Sequence, residues 1–225
     1  MATIAASILS ADPLHLAEAA RRVVAAGVDA LHLNVIGSEH RPNLTLGHFV
    51  CAALRPHVQV PLQAHLHVPA SEALIEAFAE AGADLILVHA GGAEVPAALR
   101  HIRRVGCKAG LAFAATESVE VLPGLLGDVD LVHLSCAGPA PAMRRFIEQT
   151  LVKVVRARQL IDAAGAAVPL QADGDLHAGN IRRVAEAGAD AFVVGRALFG
   201  APDPAQALRT LREQLAGARA EAATP

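Results

Sequence analysis

The 225-residue chain has no tryptophan, no tyrosine and only six phenylalanines. Its core must therefore be built from Ala, Val, Leu and Ile, whose small side chains suit helices packed closely over strands. Cysteine is scarce as well. Cys51, Cys107 and Cys136 are odd in number and far apart, which excludes a disulfide framework and a Cys-rich zinc site and leaves packed, reduced thiols. No apolar run approaches the ~18 residues that a membrane helix needs. Met1-Ala2-Thr3-Ile4 also lacks the basic stretch of a signal peptide, so a cytoplasmic chain with no membrane partner is expected. Basic residues come in nothing larger than the pairs Arg21-Arg22, Arg103-Arg104, Arg144-Arg145 and Arg182-Arg183. With a formal charge of −3, the chain has no field able to hold a nucleic-acid backbone.

What the chain has in plenty is apolar residues, 53% of the total. That is enough to close one sizeable core. The mean hydropathy of +0.40 further points to apolar surface buried between subunits of a homo-oligomer.

Short apolar runs rich in β-branched residues and Leu alternate with longer amphipathic, Ala-rich stretches. Strands are expected at 4–8, 30–35, 61–67, 85–89, 108–113, 131–135, 170–173 and 191–195. Helices are expected at 13–26, 46–54, 71–81, 95–105, 118–125, 143–164, 177–187 and 204–216. Three of the helices end in one phrase: Ala26-Gly27-Val28-Asp29, Ala81-Gly82-Ala83-Asp84 and Ala187-Gly188-Ala189-Asp190. A glycine there can take the left-handed position that closes a helix and drops the chain into the next strand. Eight βα units without a linker predict an α/β fold of a single domain, a (β/α)8 TIM barrel over residues 1–217, with an open doubly wound sheet as the alternative. An Ala-rich tail, 218–225, is expected to fray.

In a barrel, chemistry sits at the C-terminal ends of the strands. The polar residues expected there are Ser7 after the first strand, His32 and Asn34 on the second, His65 and His67 on the third, His89 on the fourth, His133 and Ser135 on the sixth, Asp173 and Asp175 on the seventh, and Arg196 after the eighth. Residues two apart share a face, so His32 pairs with Asn34 and His65 with His67. Imidazoles and oxygens meeting from strands two, three and seven suit a divalent metal such as Zn, Fe or Mn rather than calcium. Any one of these histidines alone is equally a hydrogen-bonded core residue, so their convergence decides the matter. His15, His57 and His101 fall on helices or loops and are expected on the surface. A nucleophilic hydrolase has no support, because Ser7, Ser10 and Ser135 lack an elbow motif.

Six blocks carry a family resemblance. They are Ser7-Ile8-Leu9-Ser10-Ala11-Asp12, Leu31-His32-Leu33-Asn34-Val35, Arg41-Pro42-Asn43-Leu44-Thr45-Leu46-Gly47, Ala64-His65-Leu66, Ala172-Asp173-Gly174 and Val194-Gly195-Arg196-Ala197-Leu198-Phe199-Gly200. In this order they resemble the ribulose-phosphate 3-epimerases over almost the whole chain. The resemblance implies a (β/α)8 barrel, a sugar-phosphate substrate, and a metal-assisted inversion beside a carbonyl in which two carboxylates move the proton. It also implies a divalent metal held by His32, His65 and Asp173, with Asn34 at the fourth ligand position and Ser7 beside the substrate.

The family's strand-two His-x-Asp reads His32-Leu33-Asn34 here, and an amide accepts no proton near neutral pH. His67, Asp175 and Glu39 are the candidates to replace the missing acid/base group beside Asp173. The glycine loop expected to hold phosphate is replaced by Ala137-Gly138-Pro139-Ala140-Pro141-Ala142-Met143, whose prolines offer no N–H. Gly174, Asp175, Gly195, Arg196 and His65 are left as the substrate-binding set, with Arg196 able to pair with Asp175 or to take a phosphate itself. The altered site also leaves open a second reading, a catalytically impaired homologue with a binding or regulatory role.

Overall fold

A computed structural model describes residues 2–37, 46–92, 94–136 and 150–222. Eight parallel strands pair in sequence order and close into a barrel. They are β1 (Thr3–Ser7), β2 (Ala30–Ile36), β3 (Leu62–His67), β4 (Leu85–His89), β5 (Lys108–Phe113), β6 (Leu131–Ser135), β7 (Leu170–Asp173) and β8 (Ala191–Val194). Around them lie α1 (Leu16–Ala26), α2 (His48–Leu54), α3 (Glu72–Glu80), α4 (Val95–Arg104), α5 (Thr150–Ala163), α6 (Ile181–Glu186), α7 (Arg196–Phe199) and α8 (Pro204–Ala222). The expected barrel is therefore the observed one. The large apolar layer lies between strands and helices, while two small clusters, Leu85-Leu87-Ala112-Leu131 and Ala5-Ala30-Val193, stand apart from it.

The repeated Gly-x-Asp phrase serves two purposes. Gly27, Gly82 and Gly188 take φ of 102°, 87° and 110°, the left-handed turn that a side chain would strain. The aspartate that follows then ties the start of its own strand to the strand before it. Asp29 accepts from the N–H of Ile4, Asp84 from that of Leu62, and Asp190 from that of Leu170. Asp130, which lacks the full phrase, does the same for Ala109. An arginine accompanies each: Arg212 at 3.1 Å from Asp29, Arg55 at 2.8 Å from Asp84, Arg103 at 3.5 Å from Asp130 and Arg158 at 3.4 Å from Asp190. Four Asp–Arg pairs thus tie the odd strands to the even ones at the end opposite the strand termini that carry chemistry.

Three expectations need correction. Residues 118–125 form no α-helix; two short 3-10 turns, Leu122–Gly124 and Leu126–Asp128, stand there, because Pro123 removes a donor and Gly124 and Gly127 disfavour helix. The last helix, expected to end at 216, runs on to Ala222, and Ala218 is buried against the body. His101 is buried on α4, with Glu76 of α3 3.2 Å from its ring. In addition, a short helix, α7, follows β8 with no counterpart among the expected helices. Glu39, most of the 41–47 block and the 137–143 loop lie outside the described residues.

Candidate functional site

Besides the two small apolar clusters, the barrel strands carry a belt of glutamine and histidine. Gln171 Nε2 donates to Gln63 Oε1 at 3.1 Å, the same oxygen lies 3.1 Å from His32 Nδ1, and His133 Nδ1 meets Gln171 Oε1 at 2.9 Å. These amide orientations assign the tautomers. Nδ1 carries the proton on His32 and on His133, so the lone pair of each ring is at Nε2. Both Nε2 atoms are buried without a hydrogen-bond partner, as is Nδ1 of His65.

The rings lie close together. His32 stacks on His133 with centroids 5.4 Å apart, and His65 meets His133 edge-on at 4.5 Å. Burial is the main force holding all three neutral. It pushes His32 below its usual value, takes His133 down to about 3, and, with the neighbouring rings, drives His65 well below 6.5. Neutral imidazole is the form that binds metal.

At the mouth, His32, His65 and Asp173 present ligand atoms that all lie within 4.8 Å of one another. The orphaned nitrogens of His32 and His65 are what a cation would satisfy, and imidazole with carboxylate is the donor set of Zn²⁺, Fe²⁺ or Mn²⁺. The residues present therefore fit a divalent metal. The sequence expectation that these three side chains converge holds. Gln63 and Gln171, which orient the rings, were not anticipated; their only sequence signal is polarity at positions of β3 and β7 that alternate with apolar ones. His133 was noted only as a polar strand end, and its Nε2 lies 3.8 Å from Asp173 Oδ2.

Asn34 is fastened at both ends: Nδ2 donates to Ser7 Oγ and Oδ1 meets His67 Nε2, each at 3.1 Å. A cavity of about 150 Å³ opens above, bordered by Ser7, Asn34, His65, His67, Asp173 and Arg196 among others. Asp175 is not on β7 as expected but two residues past its end, in the left-handed region at φ 53°. Asn180 Nδ2 holds it there by donating to the Asp175 carbonyl at 3.0 Å. Of the two roles open to Arg196, the structure contains the ion pair, with Asp175 at 2.5 Å. Gly195 borders the same cavity at a point where a Cβ would press on Ser10 Oγ and force that side chain to move.

The fold and site together define a (β/α)8 barrel with a mixed imidazole–carboxylate cluster at its C-terminal mouth. Its scaffold is shared with solved enzyme structures of low sequence similarity. The KGPDC of Streptococcus mutans superposes with a TM-score of 0.73 at 16% identity, covering 97% of this chain and 100% of that one. The 3-keto-L-gulonate-6-phosphate decarboxylase of Vibrio cholerae gives 0.71 at 18%, over 96% and 97%.

The sequence narrows this further, and the chain belongs to the ribulose-phosphate 3-epimerase family, whose model matches residues 3–199. It is 42% identical to ribulose-phosphate 3-epimerase 1 of Cupriavidus necator, over 89% of this chain and 85% of the relative. It is 37% identical to ribulose-phosphate 3-epimerase of Escherichia coli, over 95% and 96%. No helix among the described residues is long and apolar enough to cross a membrane.

Proposed function

We propose that this protein is a metal-assisted isomerase that exchanges the proton beside the carbonyl of a ketose phosphate. The observation that carries the reading is the meeting of His32, His65 and Asp173, two of them with orphaned ring nitrogens, where His65 and Asp173 border a polar cavity and His32 lies buried behind them. His32, His65 and Asp173 would hold the cation, Zn²⁺, Fe²⁺ or Mn²⁺, with Asn34 at the fourth position. When bound, such a cation neutralises the oxyanion that develops as the proton leaves.

The chain's own residues do the rest. Asp173 takes the proton from the reacting carbon on one face. Asn34 cannot return one, because its amide neither gains nor loses a proton near neutrality. His67, whose Nε2 lies against Asn34 and whose ring borders the cavity, is the group placed to serve the second face. Ser7 receives the Asn34 amide proton and keeps its own hydroxyl proton to donate to a substrate oxygen. The substrate phosphate displaces Asp175 from Arg196, since guanidinium binds phosphate as it binds carboxylate. Gly174 and Gly195 keep the approach open, and His65 backs the substrate from β3.

The test is incubation of the protein with ribulose 5-phosphate in D₂O, with Mn²⁺, Zn²⁺ or Fe²⁺ in turn, following the C3 proton by NMR. Loss of that signal is expected. A silent C3 proton with every metal overturns the reading. The engagement of Asn34 at both ends favours one other reading, a homologue that binds the sugar phosphate without turning it over; calorimetric binding combined with a silent C3 proton would establish it.

Self-association rests on the composition and on the exposure of Leu14 and Phe49. A sedimenting species of 23.2 kDa would overturn it.

A further inference from the structure

Beside the His32–His65–Asp173 group lies a second convergence in which no carboxylate takes part. His89 Nε2 is 3.1 Å from His65 Nε2 and 3.2 Å from His67 Nδ1, and each of the three rings offers a nitrogen within 4.8 Å of one offered by each of the others. Two nitrogens bound to one Zn²⁺ at ~2.0–2.1 Å in tetrahedral array are about 3.3–3.4 Å apart. The spacing is thus nearly that of a loaded site.

We propose that His65 Nε2, His67 Nδ1 and His89 Nε2 form a second cation site, for Zn²⁺ or a metal of similar preference, distinct from the site that includes His32 and Asp173. Three imidazoles from adjacent strands are a donor set for Zn²⁺, Cu²⁺ or Ni²⁺ rather than for Mg²⁺ or Ca²⁺. An oxygen stands behind two of the rings, at hydrogen-bond distance for His67 and farther off for His89. The far nitrogen of His67 meets Asn34 Oδ1 at 3.1 Å, which leaves its lone pair at Nδ1. The far nitrogen of His89 lies 3.8 Å from Glu117 Oε2, and the same oxygen is fixed by the N–H of Ala114 at 2.6 Å. Partners of this kind orient ligand rings and raise their basicity. A separate cavity bordered by His67, His89 and Glu94 gives a way in.

The proton count points the same way. His89 Nε2 carries one proton at most when neutral, yet it has two ring nitrogens within 3.2 Å. The proton of His67 is directed to Asn34, so the lone pair at its Nδ1 faces the cluster.

His65 belongs to both groups. As a neutral ring it has one lone pair, so the two sites compete for it unless a pair of cations shares the deprotonated ring. Occupation of the second site also takes up the Nδ1 lone pair of His67, so a cation there and proton transfer by that ring exclude each other.

The test reads binding, not activity, and so does not depend on the isomerase reading. Metal-free full-length protein carrying His32→Gln, which disables the first site, is titrated with Co²⁺ and followed by visible absorption. One equivalent with the absorption of a four-coordinate site is expected. Adding His89→Gln should weaken binding at least about 100-fold and remove the absorption. Glu117→Gln in its place should weaken it about 10-fold. Circular dichroism checks the fold of each variant, and His67→Asn replaces His89→Gln should the latter not fold. Absence of visible absorption in His32→Gln, or Co²⁺ affinity unchanged by the added substitution, overturns the proposal.

Discussion

Removing the ring at position 133 tests whether the buried belt is neutral. His133 is fully buried, and burial takes it down to about 3 from an ordinary 6.5. His32 and His65 face it in the barrel, and the Asp173 carboxylate at 3.8 Å does not offset the loss of water. A group whose native pKa is depressed takes up its proton first in the unfolded chain. Its contribution to stability is therefore complete above 6.5 and is lost steadily as the pH falls toward 3. Between about pH 7.5 and pH 4.5, two pH units lie below the ordinary value, and at about 1.4 kcal/mol each this ring alone costs the native state about 2.7 kcal/mol.

His133→Leu removes that titration and keeps the site apolar and filled. The same change strips Gln171 Oε1 of its partner, a fixed loss of about 1–3 kcal/mol that does not vary with pH. Acid effects at groups outside the belt are common to both proteins and cancel in the difference. Urea denaturation of metal-free protein at a series of pH values gives each stability by linear extrapolation. The variant should begin level with or below the wild type near neutrality and gain about 2.7 kcal/mol on it by pH 4.5. Parallel curves would refute the neutral, desolvated belt and the tautomers built on it.

Asn34→Asp restores a carboxylate between Ser7 and His67 and should raise proton exchange at the reacting carbon by about 10²–10⁴, the usual contribution of a placed acid/base group; an NMR exchange rate at or below that of the wild type goes against two-sided transfer. Asp84→Ala leaves the Leu62 N–H without its acceptor and should lower stability by about 1–3 kcal/mol, read from the urea midpoint, with metal binding unchanged. Gly82→Ala places a Cβ 2.7 Å from Arg55 Cδ at φ 87°, so a loss of roughly 1–2 kcal/mol is expected from the left-handed backbone alone; an unchanged melting temperature would count against it.

All eight strands were legible because each is a short apolar run closed by a turn signal. The three Gly-x-Asp phrases marked where helices yield to strands. The stretch 118–125 misled because its apolar spacing suits a helix, whereas Pro123 and two glycines decide otherwise. His101 misled for a different reason: a polar residue on an amphipathic helix reads as exposed, and only the packing of α3 beside α4 buries it. At the site, period-two spacing was enough to put His32, Asn34, His65 and His67 inside. It could not show which ring nitrogen each turns to its neighbours, because that follows from Gln63 and Gln171, and the two glutamines meet across 108 positions of sequence.

The two ends of the barrel answer to different demands, and the side chains show it. At the starts of the even strands four aspartates meet four arginines and bond the backbone of the strand before, the same device repeated, as stability alone would require. At the opposite ends no such device repeats: His32 and Asn34 come from β2, His65 and His67 from β3, His89 from β4, His133 from β6, Asp173 from β7. A ring sealed in the middle of an apolar barrel without charge or partner for one nitrogen costs about 1–3 kcal/mol, and three are kept here in contact. Packing does not need them, since leucine fills comparable interior positions at 85, 87 and 131. At His32 and His65 that cost is accounted for if the nitrogens have a partner in the working protein, and a cation beside Asp173 is the partner their geometry fits.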